Sequence, residues 1–102
     1  MMDEPTWYVV VEENLSHGDS RNWRVSEVKP AGPDLAAARA VAMTTARQHV
    51  PTHPMSPRRR QIFAVSEENL LVIVTGRTTS FQFRVSLARL VHDEPERVVA
   101  AW

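Results

Sequence analysis

LLVIVTGRTTSFQFRVSLARL, residues 70–90, sets two kinds of apolar pattern on either side of a turn. Its second half alternates: Phe81, Phe83, Val85 and Leu87 fall on one side of an extended chain, and Gln82, Arg84 and Ser86 on the other. That period describes a strand with one face in a core. The first half, LLVIV at 70–74, does not alternate, and a strand apolar on both sides needs both sides kept from water. GRTTS turns the chain between them, so the two runs read as consecutive strands.

Working outward, RQIFAVS (60–66) joins the 70–76 run through EEN, the pattern of a short hairpin. WYVVVEE (7–13) supplies a second unbroken apolar run, rich in the β-branched and aromatic residues that suit a pleated surface. WRVSEVK (23–29) alternates after the polar loop NLSHGDSRN. Between strands two and three, Pro30 and Pro33 precede an alanine-rich run and Pro51 follows it, with Asp34 placed to accept first-turn amides, so a helix is expected over 34–49. Leu35, Ala38, Ala42, Ala46 and His49 share one face of it, where alanines permit close approach to a sheet. DEPERVVAAW (93–102) opens with acids and Pro95 and reads as a short second helix.

The fold expected is a single α+β domain over 1–102: a mixed or antiparallel sheet of about five strands, one alanine-rich helix across one face, a short C-terminal helix, order ββαβββα. An internal echo runs through the chain, EENL at 12–15 and 67–70 and RVS at 24–26 and 84–86; the matches are short and made of common residues.

Apolar residues are 43% and charged residues 24% of the 102, an ordinary globular balance. Cysteine is absent, so disulfides and thiolate chemistry are excluded and packing alone holds the fold. The acidic start MMDEPTW is unlike a basic secretory leader, and no apolar run nears the ~18 residues of a membrane span, which makes the cytoplasm the default location. Net charge is zero but unevenly spread: seven acids face three bases in 1–34, two face eight arginines in 35–92, and three face one in 93–102. Arginine outnumbers lysine 11 to 1.

The two unbroken runs bear on assembly. One long helix covers one sheet face; the other face needs a cover, and a two-fold copy of the same chain is the commonest one. A homodimer through the sheet is therefore expected, with Trp7, Trp23, Leu71, Ile73 and Trp102 building the fold and the interface. A tightly curled barrel burying its own second face is the competing arrangement.

HVPTHPMSPRRRQIF (49–63) is the one stretch that resembles a site. His49 and His53 stand four apart, but Pro51 ends the helix between them, so the metal-ligand geometry is lost and no metal or cofactor is expected. Pro51, Pro54 and Pro57 recur every third residue like a polyproline ligand, and equally like a loop leaving a helix for a strand. Arg58, Arg59 and Arg60, extended by Arg77 and Arg84 if strands three to five are neighbours, form a candidate anion or nucleic-acid contact. Phosphate-cradling glycine loops, nucleophile elbows and zinc helices are missing, and Glu12, Glu13, Glu67 and Glu68 read as solvated charges at strand ends and turns, so no catalytic residue is assigned. The role expected is a small, non-catalytic interaction or regulatory protein with an unidentified protein partner. A nucleic-acid-binding module is the alternative, and a ligand binder or enzyme, which requires an enclosed pocket, is the third.

Overall fold

A computed structural model describes residues 6–14, 22–51 and 57–96. Their elements run β1 (Trp7–Asn14), β2 (Trp23–Gly32), α1 (Leu35–Gln48), β3 (Arg59–Ser66), β4 (Asn69–Thr75) and β5 (Ser80–Arg89). The strands form one sheet in the order β2-β1-β5-β4-β3, and every neighbouring pair is antiparallel. The alternating strand β5 is central, between the two strands that carry the unbroken apolar runs.

Helix α1 begins where Asp34 caps it, the carboxylate accepting from the Ala37 amide at 3.0 Å. Gly32, at φ +86°, turns the chain out of β2 in a conformation that side-chain-bearing residues avoid. The helix lays Ala38, Ala42 and Ala46 on the sheet, all buried, against Val9, Val11, Val72, Val74, Phe83, Val85 and Leu87. Small residues on the helix and β-branched ones on the strands leave a thin, dry layer. The face expected from the helical spacing is the one that packs, with Leu35 and His49 at its two ends half-buried.

The edge strand β2 has ten residues against the eight of β1, and the excess is taken up by two irregularities in the ladder, opposite Trp7/Tyr8 and Val11/Glu12. Ser26, the extra residue at the second, donates its hydroxyl to the Val11 carbonyl at 3.3 Å. Because a bulge shifts the alternation by one, Val25 and Val28 both pair with residues of the same β1 face, Glu12 and Val10. Pro30 is tolerated inside β2 because only an edge strand can spare its amide.

One expectation requires correction. Residues 90–96 carry no helix, so the C-terminal helix does not begin at Asp93, and 97–102, with Trp102, lie outside the described residues. The two unbroken runs are sealed on one side only within one chain, as a sheet with a single covering helix requires, and not on both as in a closed barrel. Val9, Val11, Val72 and Val74 are sealed under the helix, whereas Tyr8, Val10, Leu71 and Ile73 between them remain partly exposed on the opposite side. The two RVS segments fall on different strands, the first on the edge strand β2 and the second on the central strand β5. Among the described residues, no helix is long and apolar enough to cross a membrane.

Candidate functional site

Among the described residues nothing covers the sheet face away from α1, which carries apolar side chains on either side of the polar Gln82, Arg84 and Ser86 of the central strand. Val28 keeps 56% of its surface, Val25 50% and Phe63 44%, and they continue the half-buried Tyr8, Val10, Leu71 and Ile73. At one end a depression of about 260 Å³ lies between Tyr8, Val10, Val28 and Leu90. At the other, one of about 430 Å³ lies between Trp23, Val65, Leu71 and Arg84. Both are shallow and open to solvent, and neither is the enclosed chamber that a small-molecule site requires. The polar interruption near the middle of the face is satisfied from within: Arg84 Nε pairs with Glu12 at 3.4 Å, and its guanidinium stacks 4.0 Å from the centre of the Trp23 ring.

Of the expected interface residues, Trp23, Leu71 and Ile73 lie on this open face. Trp7 instead packs against the helix-side core, with the Arg89 guanidinium 5.6 Å from its ring.

The five candidate arginines separate into three roles. Arg60 faces the helix and donates from its two terminal nitrogens to the carbonyls of Ala46 (2.7 Å) and His49 (2.9 Å), while lying 5.7 Å over the Phe83 ring. It closes the C-terminal end of α1, satisfying carbonyls that the helix itself cannot. Arg84 is held by Glu12 and Trp23. Arg58, Arg59 and Arg77 are exposed and have no ion-pair or hydrogen-bonding side-chain partner among the described residues. They share one corner of the sheet, since Arg59 pairs with Thr75, the Arg58 amide donates to the Thr75 carbonyl at 2.7 Å, and Arg77 is at the tip of the turn that follows.

Charge is consequently sorted along the strands. The end holding the helix C-terminus carries Arg47, Arg58, Arg59, Arg60 and Arg77, and its acids Glu12 and Glu13 are taken by Arg84 and His49. The opposite end carries the Asp34 cap and the β3–β4 turn, where Glu67 and Glu68 accept from one nitrogen of Arg39 at 2.8 and 2.7 Å. That guanidinium is held above its ordinary range, first by the hydrogen bond to Glu68, partly offset by burial, and then by the charges of Glu67 and Glu68.

Glu13 differs from the expected solvated charge. It is 7% exposed and meets His49 Nε2 at 2.7 Å, with the His49 ring edge-on to Phe83 at 4.8 Å. This pair fastens the end of β1 to the end of α1. No local sequence signal announces it, because the partners are far apart in the chain; only the alternation of β1, carried one residue past Glu12, places Glu13 on the helix side. Residues His17 and His53 lie outside the described residues, and His92 meets Glu94 on the surface at 3.0 Å. Among the described residues, no three His, Cys, Asp or Glu side chains gather as a metal site would require. No protein family, curated protein or solved structure matches this chain, so its chemistry rests on its own residues.

Proposed function

We propose that this chain is a small, cytoplasmic, non-catalytic interaction or regulatory protein that acts as a homodimer, two copies meeting through their open sheet faces. The observation that carries the reading is the half-exposed apolar surface formed by Tyr8, Val10, Val25, Val28, Phe63, Leu71 and Ile73. Five strands ~4.8 Å apart and about seven paired residues long at ~3.4 Å each give a face of roughly 550 Å². Two such faces bury about 1,100 Å², which reaches the ~1,000 Å² that a specific interface needs. Only part of that area is apolar, because Gln82, Arg84 and Ser86 of the central strand run across it. Face-to-face packing of twisted sheets at ~10 Å is an established way to shelter such a surface, and a two-fold axis makes it self-complementary.

Sedimentation velocity tests it directly. The expected mass at about 100 µM is twice 11.6 kDa. Ile73→Glu, which puts a charge at the middle of the face without touching the helix-side core, is expected to sediment as a monomer with an unchanged circular dichroism spectrum. A wild-type chain that stays monomeric at that concentration, or an Ile73→Glu chain that remains dimeric, overturns the reading.

A further inference from the structure

We infer that the corner formed by Arg58, Arg59 and Arg77 is a binding site for the phosphate backbone of a nucleic acid, at the rim of the sheet face proposed above for self-association, where Arg59 ends the row of Phe63 and Gln61. Three observations converge on it. The first is that the side chains of these arginines have no ion-pair or hydrogen-bonding partner among the described residues, whereas Arg39, Arg60 and Arg84 are occupied by carboxylates or carbonyls. Charge without an internal partner is available to an external one.

The second is placement. Arg59 is paired with Thr75, and Arg77 follows Thr75 by two residues in a tight turn closed by the Gly76 amide on the Thr79 carbonyl at 2.7 Å. Strand spacing and rise keep the three backbone positions within roughly 12 Å, a span that covers about three phosphates of one strand at ~3.4 Å of rise each. Planar guanidinium forks engage phosphate oxygens two at a time, which a lysine cannot do.

The third is what surrounds them. Thr78 and Thr79 in the same turn and Ser80 at the start of β5, all exposed, offer hydroxyls of the kind that accompany arginine on phosphates. The acids nearest along the strands, Glu12 and Glu13, are already engaged by Arg84 and His49, so they do not cancel the field at the corner. An acidic protein surface would meet the same charge, but the hydroxyl-bearing turn and the spacing favour phosphates.

Binding of a labelled DNA of about 20 nucleotides, single-stranded and duplex, followed by fluorescence anisotropy across salt from about 20 to about 200 mM, tests the inference. Three phosphate contacts predict a logarithmic salt slope near −2.7 for duplex and near −2 for single strands. The triple variant Arg58→Gln/Arg59→Gln/Arg77→Gln is expected to lose the salt-dependent affinity, by about tenfold or more at the lowest salt, while Arg24→Gln on the far edge strand changes nothing. Arg77→Gln alone, in an exposed turn where folding is not at stake, is expected to reduce the slope by about one. The inference is overturned if wild-type chain leaves the anisotropy unchanged at the lowest salt, if the triple variant binds as well as wild type, or if polyglutamate binds the corner and DNA does not. Sedimentation of the same samples reports the oligomeric state separately, so a failed contact is distinguishable from a failed dimer.

Discussion

Replacing Arg60 by methionine keeps a long apolar stem over Phe83 and removes two hydrogen bonds to the end of α1. The carbonyls of Ala46 and His49, now served at 2.7 and 2.9 Å, are left without that donor. A hydrogen bond involving a charged group contributes about 1.5–3 kcal/mol net. Arg60 is only half-buried, so water takes over part of the loss at its outer bond. The expected destabilisation is therefore about 2–3 kcal/mol, below the sum of two full bonds, and a large share of the ~5–15 kcal/mol that holds a domain of this size. In urea melts the midpoint of Arg60→Met should fall with little change in slope, since the surface exposed on unfolding is almost unaltered. Arg58→Met and Arg59→Met, on neighbouring positions of the same triplet, should stay within about 0.5 kcal/mol of wild type, as exposed substitutions do. Should Arg60→Met unfold at the same urea concentration as Arg59→Met, the division of the triplet into one structural and two free arginines is wrong.

Two further outcomes follow from the packing. Ala42 lies 5% exposed between helix and sheet, so Ala42→Leu forces the layers apart and is expected to cost about 1–3 kcal/mol, read as a lower melting temperature; a variant as stable as wild type would mean that the layer has slack. Arg39→Gln should weaken the fold at neutral pH, and more so at low salt, because its pairs with Glu67 and Glu68 are largely solvent-facing. Its folded-state affinity for the proton is raised, so the stabilisation is complete below the ordinary guanidinium range and is lost only above it. The stability gap between wild type and Arg39→Gln should thus stay constant from about pH 7 to about pH 10, and a gap that narrows over this range contradicts the assignment.

What could be read from the residues, and what could not, divides by distance along the chain. The alternation of Phe81 to Leu87 located the helix-side core, and the Asp34 cap with Pro51 bracketed the helix, because both signals are local. The pairing order was beyond reach: local patterns identify strands without saying which lie side by side, and it is the order β2-β1-β5-β4-β3 that brings Arg58, Arg59 and Arg77 to one corner and puts Arg84 in mid-face. The site residues legible in sequence were those whose neighbours are also sequence neighbours. Arg58, Arg59 and Arg60 are contiguous, yet a strand turns consecutive side chains to opposite faces, which is why Arg60, the last of the triplet, meets the helix end and not the surface its neighbours share. The C-terminal helix was argued from acids and Pro95, start signals with too little apolar periodicity behind them to require a helix.

Among the described residues, both sheet edges expose unpaired backbone groups, and edge-to-edge growth would be the mode of association that competes with the proposed one. The β2 edge is blunted by two bulges, by Pro30 and by the charged Arg24, Glu27 and Lys29. The β3 edge begins with Arg59 and Arg60, and its ladder with β4 shifts register between Ala64 and Ser66, so an added strand would find a short and like-charged template. Edges protected in this way disfavour strand addition, which leaves the face opposite α1 as the surface for the proposed association. That face is also where the two unbroken runs turn their second set of side chains, Tyr8 and Val10 from one and Leu71 and Ile73 from the other. Those side chains are already half-buried against their cross-strand neighbours, and the part still exposed is the surface that the proposed dimer would shelter.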